Sequence, residues 1–376
     1  MKSLKLILVL FFITGNLLSQ ELTMYDLTCE HKKNPLGIDV PQPRFSWKIK
    51  ASGNNIMQSA YAIRVSTDQR FSSSKTTWES GKISSDESVL IPYKGSELKP
   101  GQRYYWQVRI WDNQGRSSRW SETAYWETGL MTPAGWTAKW IELEADTGRY
   151  SPSPHFRKEF AIAKTVSSAR VYVTSHGFYE LHLNGKKVGD QVLTPGWTSY
   201  LKRLQYQVYD VTPMLVKGDN AVGAVLGDGW YRGTLAWGNN WAVYGKRLGL
   251  LMQMKITYTD GTESLIVTDG SWKGTADGAI RMNDIYNGET YDATRRLTGW
   301  NLKGYDDSKW REVQIGNYSN SNIIATEGVP VRKTKEIKPV KIIRTPEGSL
   351  VADMGQNMVG WLRLTVSGPK GTVVTL

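Results

Sequence analysis

The sequence predicts an all-β chain built from successive sandwiches. Three observations carry this. Short segments alternate apolar and polar residues with the period of two expected of half-buried strands: "YAIRVSTD" (61–68), "RYYWQVRIWDNQG" (103–115), "ARVYVTSHGFYELHLNGKKVGD" (169–190) and "LLMQMKITYTDGTESLIVTDG" (250–270). The pairs Asn184-Gly185 and Asp260-Gly261 fall between such segments and read as type I′ hairpin turns, which need positive φ at both central positions. No stretch carries a long amphipathic helical period. The length of 376 residues suits two or three domains.

Residues 1–20, "MKSLKLILVLFFITGNLLSQ", place Lys2 and Lys5 before an apolar run from Leu6 to Ile13, with the small Ser19 near the end. This is the pattern of a secretory signal peptide, and the run is too short to span a bilayer. The expected destination is the periplasm or the cell exterior. No later stretch reads as a membrane span. Cys29, the one cysteine, has no partner for an internal disulfide, so hydrophobic cores must supply stability; it reads as a buried thiol.

Residues 21–131 form the first expected unit. Its end, "LKPGQRYYWQVRIWDNQGRSSRWSETAYWETG", runs from a Pro-Gly turn into an aromatic strand, an Asn/Gly turn and another strand, and resembles a fibronectin type III-like sandwich. Trp106, Val108 and Ile110 share one strand face and read as core. Residues 132–140, "TPAGWTAKW", read as a linker. Residues 141–330 form a second β-unit, and 331–376 begin a third. The sequence stops at "GPKGTVVTL", inside what reads as a strand, and is expected to be truncated there.

The formal charge of +12 is spread along the chain without a Lys/Arg block. For an exported protein this argues against nucleic acid as a partner. It leaves a soluble basic surface, or attraction to acidic or sulfated polysaccharide.

Several long blocks resemble a known family. "LTPGWTSYLKRLQYQVYDVTPMLVKGDNAVGAVLGDGWYRG" (193–233) is similar to the N-terminal β-domain of bacterial α-L-rhamnosidases, glycoside hydrolase family 78. "LTCEHKKNPLGIDVPQPRFSWKI" (27–49), "DIYNGETYDATR" (284–295) and "VADMGQNMVGWLRLTVSGPKGTVVTL" (351–376) resemble further blocks of the same enzymes, in the same order. The resemblance implies N-terminal β-sandwiches, a further β-domain and an (α/α)6 barrel whose carboxylates hydrolyse rhamnosides with inversion. The sequence stops before any barrel begins, so no catalytic residue carries over. Some relatives hold rhamnose, with help from calcium, in a jelly-roll-like module at the position of the second unit. This implies a rhamnose-containing oligo- or polysaccharide as partner.

The residues offer their own candidates. "GDGWYRGTLAWGNNW" (227–241) concentrates glycines, tryptophans and amides. Sugar C–H faces pack on Trp or Tyr while hydroxyls seek Asp, Asn and Arg. That selects Trp197, Tyr200, Asp228, Trp237, Asn239, Asn240 and Trp241 as sugar-binding candidates. Trp230 reads as packing; for Trp237 to Trp241, binding and packing stay open. The segment lacks the Gly-Lys-Ser/Thr ending of a phosphate loop and precedes no evident helix. Asp284, Asn287 and Glu289 are calcium candidates, since calcium takes six to eight oxygen ligands; a solvated turn around Asn287-Gly288 is the competing reading. A hydrolase contained in this chain needs two carboxyls roughly 5–10 Å apart, for which Asp228 and Glu289 are the pair to examine. There is no HExxH or GxSxG pattern.

Overall fold

The computed structural model describes residues 22–144 and 148–376, so the leader at 1–20 lies outside the described residues. The described chain is all-β. Its helical content is one α-turn, Gly229–Arg232, and four short 3-10 turns. Among the described residues no helix is long and apolar enough to cross a membrane.

The first sandwich packs a sheet of Leu22–Cys29, Arg44–Ala51 and Ile91–Pro92 against a sheet ordered Thr76–Glu79, Gln58–Ser66, Arg103–Asp112, Ala124–Glu127. The alternation in Arg103–Asp112 does what the sequence implies. Tyr104, Trp106, Val108 and Ile110 are buried, while Arg103, Tyr105, Gln107, Arg109 and Trp111 lie half-covered on the other face. Phe45 sits 4.5 Å from Trp106 and 5.2 Å from Trp126, and Tyr104 stacks on Trp126 at 5.1 Å. Each such side chain contributes about 2–3 kcal/mol of burial energy. Cys29 is buried in this core as a free thiol, its pKa pushed well up by burial.

The second sandwich has two larger sheets in a jelly-roll-like arrangement. One runs Lys186–Lys187, Phe178–Leu183, Gly218–Gly227, His155–Ile162, Lys273–Thr275, Arg311–Glu312. The other runs Gln314–Gly316, Trp140–Glu142, Gly249–Tyr258, Val166–His176, Leu204–Asp210, Ile323–Ala325. The central strand Gly249–Tyr258 is buried on both faces over its first six residues. The second cover is the segment read as a linker. Gln253 accepts from Thr137 N and donates to Gly135 O, and Trp136 packs edge-on against Tyr206 at 5.5 Å. Residues 132–140 are thus strapped to the sheet, and Trp140 already belongs to a strand.

The two sandwiches form one compact unit ending at Val331. Polar contacts tie them. The Tyr206 hydroxyl donates to both oxygens of Asp39 at 2.8 Å and accepts from Leu130 N at 2.9 Å. Glu127 of the first sandwich takes Arg170 of the second at 2.6 Å as well as its own Arg103.

The two hairpin turns differ. Asn184 and Gly185 both have positive φ, as a type I′ turn requires. At the second turn Gly261 alone is left-handed, with its N–H bonded to Tyr258 O. Asp260 keeps an ordinary φ and instead accepts from Thr262 N and its hydroxyl, so the loop is longer than a two-residue turn. Residues 332–376 form a separate unit, whose strands are the hairpin Lys341–Arg344 and Leu350–Asp353. The expected strand at "GTVVTL" is not formed: Val373 and Val374 are exposed and pair with no described strand.

Candidate functional site

The segment 227–241 divides into a packed front and an exposed back. The front is a single helical turn, Gly229–Arg232, that the sequence did not announce, since one turn is too short to show a period. Glycine is required at its start. Gly229 has φ +52, and a Cβ there would lie 2.6 Å from the Phe178 ring. The turn aims Asp228 and Arg232 at each other in the interior. The Asp228 carboxylate accepts from Arg232 Nε at 2.8 Å and Nη2 at 2.6 Å, and both side chains are almost fully buried. Asp228 therefore cannot reach a sugar hydroxyl.

The next side chain, Tyr231, enters an aromatic column. Tyr231 stacks on His176 at 4.6 Å, His176 stacks on Trp140 at 4.2 Å, and Tyr318 meets His176 edge-on at 4.4 Å. Burial lowers the His176 pKa to about 4, so the imidazole is neutral near pH 7, and its Nδ1 has no hydrogen-bond partner. Tyr200 packs edge-on against Tyr231 and Tyr244 and donates to Gly196 O. At 2% exposure it is core, not a sugar platform.

Trp197 is different. It is 52% exposed, and its ring lies 5.6 Å from Trp230 and nearly parallel to it. Trp230 is wedged in turn against Phe178. The pair presents one supported indole to solvent, with Trp197 Nε1 donating to the Tyr244 hydroxyl at 3.4 Å.

The back of the segment is a hairpin, Thr234–Leu235 paired with Asn240–Trp241. Its loop turns through positive φ at Ala236, Gly238 and Asn239 and raises Trp237 to 93% exposure. Asn240 Nδ2 closes the loop onto Trp237 O at 3.1 Å. Asn239 Oδ1 accepts from Arg149, whose guanidinium also donates to Thr234 Oγ1 at 3.1 Å. Trp241 is half-buried beneath Lys246, with its indole N–H buried and unpartnered. Arg149, Thr234 and Tyr244 were not foreseen. Arg149 meets Asn239 across ninety residues, and no spacing rule links them.

Asp284, the first of the calcium candidates, is surrounded by N–H donors. Asp284 Oδ2 accepts from Thr234 N at 2.7 Å, and Oδ1 accepts from Tyr286 N, Asn287 N and Asn287 Nδ2 at 2.9–3.1 Å. Burial opposes ionisation of Asp284, but these donors outweigh it and hold its pKa below the usual value. N–H groups turned toward the carboxylate have the wrong polarity for a neighbouring cation. Glu289 lies exposed on the strand Gly288–Tyr291, its pKa raised by desolvation. Among the described residues no group of three His, Cys, Asp and Glu is gathered as for a metal. Asp284 instead fastens one hairpin to the foot of the other.

Comparison with known proteins follows the same divisions. The α-L-rhamnosidase N-terminal domain family matches residues 164–335. A Rha78A-like N-terminal immunoglobulin domain matches 24–132, and a bacterial α-L-rhamnosidase concanavalin-like domain matches 343–376. An α-L-rhamnosidase of Formosa agariphila is 37% identical over 371 residues, covering 91% of this chain and 39% of that protein. One from Alteromonas sp. (strain LOR) is 36% identical, covering 91% and 38%. Among solved structures, the native Aspergillus terreus enzyme superposes with a TM-score of 0.86 at 35% identity, over 93% of this chain and 40% of that one. The Streptomyces avermitilis α-L-rhamnosidase complexed with L-rhamnose gives 0.84 at 28% identity, over 90% and 49%. The chain spans between 38% and 50% of the length of the curated relatives it matches. By sequence and by fold, the chain matches the N-terminal β-domains of α-L-rhamnosidases.

Proposed function

We propose that this chain is the non-catalytic, N-terminal accessory part of an exported α-L-rhamnosidase. In this reading the enzyme cleaves rhamnose-containing glycans by inverting hydrolysis at a catalytic (α/α)6 barrel, and these β-domains position that barrel. The observation that carries the reading is the state of the carboxylates. Asp228 is sealed in an ion pair with Arg232, and Asp284 is saturated by four donors. Neither is placed to act as a general acid or base, and without Asp228 the Asp228–Glu289 pair is lost.

A second role is sugar binding by the same surface, which would suit a stand-alone carbohydrate-binding protein as well as an enzyme. The exposed indoles of Trp197 and Trp237 favour it, with Asn239 and Arg149 supplying polar groups near the second. Calorimetric titration of L-rhamnose into the pure chain, with and without calcium, tests it. Binding weakened by Trp197→Ala or Trp237→Ala supports sugar contact. No heat at millimolar rhamnose overturns rhamnose binding by this surface.

A further inference from the structure

The first sandwich carries a feature that neither role uses. On the outer face of its larger sheet, cations and aromatic rings alternate in a row. Lys82 Nζ lies 4.7 Å from the Trp111 ring centre. The Arg109 guanidinium lies 4.8 Å from Trp111 and 4.9 Å from Trp120. The Arg64 guanidinium lies 4.4 Å from Trp120 and 4.5 Å from Phe71. The backbone explains the row. Arg109 and Trp111 point away from the core on one strand, and opposite them on the neighbouring strand stand Ala62 and Ala60. The small alanines leave room for long side chains to lie flat across the sheet, and both are buried beneath them.

No ion pair closes on this row. Among the described residues, Lys82, Arg64 and Arg109 take part in no ion pair, although Glu79 stands opposite Arg64 in the neighbouring strand. Arg64 spends two donors on Gln107 Oε1. Arg109 has two rings beside it, and its buried Nε has no acceptor. Burial lowers the Arg64 pKa; Glu79 opposes this and the nearby Arg109 adds to it. A guanidinium packed between aromatic rings keeps its charge and has little rotamer freedom left to lose on binding; with Arg64 Nε and Nη2 spent on Gln107 and Arg109 Nε buried, the edge left for an anion is Arg64 Nη1 and the two Arg109 Nη groups. Sulfate and carboxylate are the planar or compact anions that such an edge recognises.

We propose that this cation–aromatic row is a binding face for the sulfate or carboxylate groups of an anionic polysaccharide. Binding there is independent of rhamnose recognition in the second sandwich. It would hold the protein on a charged glycan through contacts that weaken with salt.

Affinity electrophoresis of the whole chain through gels containing dextran sulfate, polygalacturonate or neutral dextran tests this. Retardation by dextran sulfate, polygalacturonate or both is expected, with none by neutral dextran; the first two arms separate sulfate from carboxylate recognition. The double substitution Lys82→Gln with Arg109→Gln should weaken retention by about tenfold, the scale of one or two charge-assisted hydrogen bonds. Lys82→Gln alone alters one side chain at the end of the row and should give part of that loss, whatever Arg109→Gln does to folding. A control that removes the same charge elsewhere, Lys217→Gln with Lys338→Gln, should match the unaltered protein. No retardation by either polyanion at low salt overturns the proposal. So does an equal loss in the control, which would make the effect one of net charge.

Discussion

Acidification should destabilise this protein in part through His176, and one substitution should remove that share. The imidazole is closed between Trp140 and Tyr231, with Tyr318 at its edge and no acceptor for its Nδ1. Burial lowers its pKa from 6.5 to about 4. A base depressed in the folded state contributes its full stability above the unfolded value. The contribution is lost as pH falls from 6.5 toward 4, because protons then bind the unfolded chain first. Between pH 7.5 and 5 the linkage comes to about 2 kcal/mol, at roughly 1.4 kcal/mol per pKa unit. His155, also near 4 because of burial, adds a similar amount. In His176→Phe a ring of similar size fills the column and nothing titrates. Urea midpoints followed by tryptophan fluorescence at pH 7.5 and 5 measure the difference. The variant should lose about 2 kcal/mol less than the parent on acidification, since the carboxylates contribute equally to both. An identical pH dependence in the two proteins would mean that His176 does not carry this acid sensitivity.

Other outcomes follow from single contacts. Tyr206→Phe removes the donor to Asp39 and the acceptor for Leu130 N, and should cost about 1–3 kcal/mol, with faster proteolytic cutting near residues 128–140. Gly229→Ala places a methyl 2.6 Å from the Phe178 ring on a left-handed backbone, and should lower the unfolding free energy from urea titration by about 1–3 kcal/mol. Chelation with EDTA should leave the melting temperature unchanged, because the polar groups around Asp284 are donors; a drop reversed by calcium would contradict that assignment.

Strand character was legible because alternation is local. Trp106, Val108 and Ile110 turn inward as their spacing implies, and Asn184-Gly185 turns as its chemistry demands. Accessibility was not legible. Trp197 and Tyr200 stand three residues apart with similar chemistry, yet one meets water and the other fills a core. What separates them is Trp230 beneath the first and Tyr231 beside the second, contacts made some thirty residues along the chain. The acids misled for the same reason. Asp228 looks like a sugar ligand until the turn at Gly229 brings Arg232 back onto it, and Asp284 looks like a metal ligand until Thr234 N is seen to point at it. The cation–aromatic row left no local mark, since its six members come from four separate stretches.

These β-domains are proposed to serve a rhamnosidase without performing its chemistry. The decisive assay is release of p-nitrophenol from p-nitrophenyl α-L-rhamnoside by the purified chain. The chain should show no turnover above buffer. Steady release that Asp228→Asn or Glu289→Gln abolishes, in a protein that remains folded, would contradict it.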